Sequence, residues 1–225
     1  DLTSLPDSFG SLKVGRDLDL SRNSLTSLPE SFGSLTVGRN LVLGPGNYQA
    51  LALPKSFGSL KVGGNLNLIG LSLKTLPESF GSLTVGGDLL LNTNQLKTLP
   101  ESFGSLTVGG DLLLNTNQLE TLPKSFGSLK VGGSLNLSEN ALKSLPKSFG
   151  SLQVGGDLNL AIGYYSELES LPKNFGSLRV GGDLYLDGDT FYKLRAALPG
   201  FTDEDHLDSF FPNVKGKIKI EDDDY

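Results

Sequence analysis

The chain has 225 residues and a formal charge of −6, from 25 Asp and Glu against 19 Lys and Arg, and it contains no Cys, Met or Trp. Without cysteine, disulfides, thiolate metal sites and cysteine nucleophiles are excluded. The mixed, mildly acidic charge lacks the basic footprint of a nucleic-acid binder, and no apolar run approaches the ~20 residues of a membrane span.

Along the chain the pair Leu-Pro recurs. Leu5, Leu28, Leu53, Leu76, Leu99, Leu122, Leu145 and Leu171 each precede a proline, at steps of 23, 25, 23, 23, 23, 23 and 26 residues, and Leu198-Pro199 follows 27 later. Self-similarity at a period of twenty to thirty residues marks a stacked repeat architecture. The chain divides into an array over 1–198 and a different segment over 199–225. The first unit is met partway through, since Asp1 to Pro6 already lie mid-unit. Its outermost layer is expected to expose apolar residues such as Leu18 and Leu20. Self-association or a partner contact at that uncapped end follows as an expectation.

A regular unit runs from Leu99 to Thr121 as LPESFGSLTVGGDLLLNTNQLET. Leu99, Phe103, Leu106, Val108, Leu112, Leu114 and Leu119 are its large apolar positions. Leu112 and Leu114, two apart, have strand spacing, with Leu113 pointing the other way. Phe103 and Leu106 suit one helical or 3₁₀ turn that Pro100 starts and Gly104 stops. Strands of successive units are expected to pair in parallel. The recurring Gly-Gly before each strand (Gly109-Gly110 here) indicates backbone turning where coils approach closely. No Lys-Ser/Thr follows it, so a phosphate cradle does not fit. Asn23, Asn94, Asn117 and Asn140 fall three residues after the second strand leucine, where a buried amide satisfies loop backbone; Leu71 breaks this column. A second column, Asp17, Asn40, Asn65, Asp88, Asp111, Ser134, Asp157 and Asp183, is read as accepting bonds from turn amides rather than binding calcium.

This pattern resembles the leucine-rich-repeat family in Leu112, Leu114, Asn117, Leu119, Leu122-Pro123, Phe126 and Leu129, and departs from it where the family usually has a leucine three residues before the first strand leucine: Gly109 fills that place and Val108 stands one residue earlier. The VGGxLxL variant looks like repeats of bacterial, phage and protist proteins of unassigned role. The resemblance implies an α/β solenoid with parallel strands on the concave face, short 3₁₀ or helical turns on the convex face, and a binding module. It carries no catalytic residues and implies no cofactor or metal.

Three units are longer, each just after the strand: 44–49, 161–166 and 187–192. Insertions at one point of a repeat protrude from one edge of the stack. They bring Tyr48, Tyr164, Tyr165, Phe191 and Tyr192, with strand residue Tyr185 nearby, to an expected partner-binding edge, since large stiff rings anchor interfaces. The outward strand row is the second candidate, with Leu90 and Leu113 as an apolar spot in a polar field. At the C-terminus, Thr202-Asp203-Glu204-Asp205 has the character of an N-cap and first turn, so a capping helix ending at Pro212 is expected, then a final strand over 214–220. His206, the only histidine, has no partner motif and belongs to helix surface. The chain is therefore expected to be a non-catalytic module that binds or scaffolds a protein partner. The alternatives are an assembly subunit or the targeting repeats of a multidomain enzyme.

Overall fold

The computed structural model describes residues 1–46, 50–161, 168–197 and 207–221, and the side chains of all of these except 194–197 and 221. Each unit is one coil. It opens with a 3₁₀ turn such as Glu101–Ser105, whose first hydrogen bond runs from the Phe103 amide to the Pro100 carbonyl at 2.9 Å. A two-residue strand follows at Thr107–Val108, then Gly-Gly-Asp, then a second strand at Leu112–Leu113. An ascending loop leads to the next Leu-Pro.

The expectation of one strand per coil is corrected here. The first strands stack into an eight-stranded parallel sheet and the second into a nine-stranded parallel sheet. Register is unbroken across both: Thr107 pairs with Thr84 and Lys130, and Leu112 with Leu89 and Leu135. The extra sheet arises because Leu106 and Val108 both point inward while Thr107 points to solvent. That is the two-residue alternation of a strand. Leu106 therefore belongs to the strand side of the 3₁₀ turn, not to the turn itself.

Between the sheets and the turns lies one continuous core. The seven apolar positions of the Leu99 unit are all buried, six of them at 1% exposure or less. The phenylalanine of each coil stacks on the next. Phe9, Phe32, Phe57, Phe80, Phe103, Phe126, Phe149 and Phe175 form seven successive near-parallel pairs, with centroids 5.9–6.3 Å apart and planes within 8°. Phe211 ends the column, standing edge-on to Phe175 at 82° and 5.8 Å. Pairs of this kind contribute about 0.5–1.5 kcal/mol beyond their buried area.

The glycines are there for closeness, not for unusual dihedrals. A Cβ at Gly109 would lie 2.1 Å from the Gly86 carbonyl oxygen, and the same clash recurs at 2.0–2.3 Å for Gly63, Gly86, Gly132, Gly155 and Gly181. Among the described glycines only Gly46 and Gly70 have positive φ. Gly104, expected to stop the 3₁₀ turn, instead lies inside it; its Cβ would sit 2.2 Å from the Ser125 carbonyl oxygen of the next coil.

At the C-terminal end the expectations need adjusting. The strand Leu184–Asp187 runs into helix α1, Gly188–Ala197, so the third post-strand segment is the start of a helix and not a protruding loop. The buried Asp187 carboxylate caps it, accepting from the Thr190 amide at 2.6 Å. This is the bond an N-cap residue makes to an orphan first-turn donor. Of the expected capping helix, α2, Leu207–Phe210, is described; Thr202 to His206 lie outside the described residues. Leu207 and Phe211 are buried. The final strand is Ile218–Glu221, pairing parallel with Leu184–Asp187, while Val214 bridges Val180 in the other sheet. Ile218 and Ile220 pack half-buried against the core.

The first coil is less open than expected. Leu20 is buried and Leu18 half-buried, because each also packs against the second coil, to which their amides donate at 2.8 Å. Leu2 and Leu12 are the exposed leucines there.

Two glycine substitutions separate inter-coil crowding from chain entropy. Gly109→Ala is expected to lower the urea-unfolding free energy by about 1–3 kcal/mol, the range for forced overpacking. Gly15→Ala, whose Cβ would meet nothing within 4 Å, is expected to stay within about 0.5 kcal/mol of the parent. Equal effects would refute this account of the Gly column.

Candidate functional site

Two polar ladders tie coil to coil and settle which polar residues remain for function. In the first, each pre-strand side chain accepts from the same-position amide one coil on. Asp88 Oδ1 accepts from Asp111 N at 2.9 Å, Asp111 Oδ1 from Ser134 N at 2.7 Å, and Asp157 Oδ1 from Asp183 N at 2.7 Å. Asp183 closes the series by accepting from Lys217 N at 2.8 Å. The expectation that these groups serve turn amides holds. Among the described residues no three His, Cys, Asp or Glu side chains gather as metal ligands.

The asparagine column forms the second ladder. Asn94 Oδ1 accepts from the amides of Leu71 and Leu73, and its Nδ2 donates to the carbonyls of Leu68 and Leu91. Asn117 and Asn140 repeat the arrangement. The buried side chain supplies partners that the loop backbone otherwise lacks. The residue before each asparagine, Arg22, Thr93, Thr116 or Glu139, has a positive φ of 52–59°.

The outward row of the nine-stranded sheet reads Asp19, Val42, Asn67, Leu90, Leu113, Asn136, Asn159, Tyr185 and Lys219. Its Asp and Asn members are turned back on their own loops. Asn67, Asn136 and Asn159 each accept from the amide two residues on, at 2.8–3.0 Å, and Asp19 does the same. This is the local Asx bond. The Ser21 hydroxyl first, and then the Ser21 amide, hold the Asp19 carboxyl below its ordinary pKa. Leu90 and Leu113 sit side by side in register, both half-buried, with no such local tether.

At the far end of the row, Lys219 Nζ lies 2.6 Å from Asp183 Oδ2, donates to Tyr185 Oη at 3.0 Å, and stands 4.6 Å over the Tyr185 ring. The ion pair holds the Lys219 ammonium above the ordinary lysine range, with Tyr185 adding to it. The same contact, followed by the Lys217 amide, holds the Asp183 carboxyl below its usual value.

No protein-family model matches the chain, and no curated protein is similar to it at a significant level. Among solved structures, the fold is similar to that of a leucine-rich-repeat protein of Leptospira interrogans, with a TM-score of 0.58 and 25% identity over 97% of this chain. The array is a leucine-rich-repeat solenoid. The chain spans 59% of the length of that Leptospira protein. A plant ice-binding protein aligns over 77% of this chain and 59% of its own, with 24% identity and a TM-score of 0.40, a level too low to bear on the fold.

On this solenoid the sequence-derived candidates separate. Leu90 and Leu113 do meet. Tyr185 is engaged at both its ring face and its hydroxyl by Lys219 of the neighbouring strand. Phe191, placed on the binding edge from sequence, is instead 7% exposed within the core, because the helical start at Gly188 turns it inward. Tyr192 next to it is 65% exposed, its ring edge-on to Phe191 at 6.0 Å. Tyr48, Tyr164 and Tyr165 lie outside the described residues. Sequence reasoning passed over the exposed row of the eight-stranded sheet, Lys13 through Arg179, although the Leu-x-Val alternation signals it in every unit.

The Asp183–Lys219 pair gives a pH signature. A carboxyl held below its unfolded value stabilises the fold above that value, about 3.9 for Asp, and the contribution fades as pH falls through the folded pKa. The urea midpoint of the parent is expected to exceed that of Asp183→Asn at pH 6, and the gap to narrow toward pH 2.5. A gap that stays constant would mean the charge on Asp183 does not help to hold the strand Ile218–Glu221.

Proposed function

We propose that this leucine-rich-repeat chain is a non-catalytic recognition module that binds a protein partner on its nine-stranded sheet. The observation that carries this reading is the Leu90–Leu113 pair. Its polar neighbours in the row spend their acceptor oxygens on their own loops, so the two leucines are the untethered apolar side chains in the middle of the face. Apolar anchors in a polar surround are the composition of an interaction hot spot. Exposed Tyr192, beyond the end of the same sheet, extends the candidate surface. The structural likeness to a leucine-rich-repeat protein supports a binding role of this general kind.

Leu90→Asn with Leu113→Asn tests this reading without threatening the fold, because Asn67 and Asn136 occupy the same column. Unfolding midpoints are expected to move little. Affinity for a partner identified by in-cell cross-linking is expected to fall at least tenfold, and Tyr192→Ala to weaken it less. Unchanged affinity in the double variant would remove the nine-stranded sheet as the binding face.

A further inference from the structure

The eight-stranded sheet carries an organisation that the recognition reading does not use. Its outward row contains one side chain per coil, all exposed. Four of the eight are cations: Lys13, Lys61, Lys130 and Arg179; the others are threonine or glutamine. The row has no acid and no aromatic residue, although the chain as a whole is acidic. Among the described residues none of the four cations makes an ion pair. On either side run two invariant columns, exposed serines such as Ser105, Ser128 and Ser151, and exposed glycines such as Gly109, Gly132 and Gly155. Over the last coils the face is a shallow trough of about 960 Å³, lined by Thr107, Lys130, Gln153 and Arg179 and bounded by Pro212–Asn213 with Lys215.

We propose that this face binds an extended acidic polysaccharide lying along the solenoid axis. In-register pairing places the cations on one line at multiples of a strand spacing, ~4.8 Å. Lys13 and Lys61 are two coils apart, as are Lys130 and Arg179, and Lys61 and Lys130 are three apart. A single file of cations at intervals of two, three and two coils, with no acid between them, matches an extended polymer that carries many carboxylates along its length. The serine and threonine hydroxyls and the backbone laid bare at glycine offer donors and acceptors to ring hydroxyls between those charges.

Competing occupants fit less well. The row has no aromatic platform on which bases stack, and half its positions are uncharged, too sparse for a duplex carrying one charge per about 1.7 Å. It also lacks the buried aromatic or aliphatic anchors of a protein hot spot and the apolar face that inserts into a membrane.

The test uses polygalacturonate as probe, with neutral amylose, single-stranded DNA and anionic lipid vesicles in parallel. The intact chain is expected to bind polygalacturonate with micromolar affinity, at least tenfold more tightly than the other three, and to lose at least tenfold between 50 and 300 mM NaCl. The triple variant Lys61→Gln, Lys130→Gln, Arg179→Gln is compatible with the fold, since Gln153 holds the same position; it is expected to lose at least tenfold in affinity with an unchanged unfolding midpoint. Leu90→Asn with Leu113→Asn, on the other sheet, is expected to leave this binding intact, so the two surfaces fail separately. Absence of binding at millimolar uronate, equal binding to amylose, indifference to the triple variant, or tighter binding to DNA or vesicles would each overturn the proposal.

Discussion

The spacing between coils is set where backbone meets backbone. At Gly109 the Cα of one coil faces the carbonyl oxygen of Gly86 in the coil before, with no room for a methyl group. A second such contact, at Gly104 against Ser125, lies in the 3₁₀ turn of each unit. Two constraints at separate points of the same coil fix both its distance and its tilt relative to its neighbour. The phenylalanine stack, the asparagine brackets and the carboxylate-to-amide ladder all require that spacing, because each bridges one coil to the next. None of them is complete within a single unit. Ordering a unit costs roughly 1–2 kcal/mol per residue in backbone entropy, and the bonds that offset this cost cross the boundary. Stability is therefore a property of interfaces between repeats.

Much of this was legible in the sequence because each interaction demands the same residue type in every copy. The Leu-Pro beat, the Gly-Gly pair, the Asn column and the Asp column each marked a contact that the structure contains. What sequence misassigned were positions where two local readings share the same residues. Phe103, Leu106 and Val108 satisfy a helical spacing between the first pair and a strand spacing between the second. Only the neighbouring coil, by offering a parallel partner to Thr107–Val108, decides for the strand. Phe191 fails for a related reason: in the sequence it looks like part of an insertion, and only the Asp187 cap starting α1 turns it inward.

The last described coil meets residues that depart from the repeat pattern. At the C-terminus the ladders close on residues foreign to the repeat. Asp183 gives its bond to Lys217, Phe175 meets the edge of Phe211 in place of another stacked ring, and Ile218–Glu221 takes the sheet edge that another unit would have used. Lys219 then covers the last strand through Asp183 and Tyr185. Charge on a terminal strand also discourages pairing with a foreign edge. The segment from Leu207 to Glu221 therefore copies several contacts of a repeat, with an edge-on ring in place of a stacked one.

A solenoid of this kind divides its residues by column, and the division separates scaffold from surface. Columns that cross between coils vary narrowly, as where Asp, Asn and Ser share the pre-strand column and each still accepts from the next coil. Columns that point outward meet no neighbour and are free to differ, and there the two sheets diverge. The nine-stranded sheet varies between Asp, Asn, Val, Leu, Tyr and Lys; its Asp and Asn side chains are tethered to their own loops and Tyr185 and Lys219 to each other, so its untethered character is apolar and local. The eight-stranded sheet varies only within Lys, Arg, Thr and Gln, so its character is cationic, hydroxylated and distributed along the whole length. A local apolar spot suits a discrete partner with a complementary pocket. A distributed line of like groups suits a polymer with its own repeat. Because the core between them is a single rigid stack, a substitution on one face leaves the geometry of the other in place, and the two surfaces are separable by mutation.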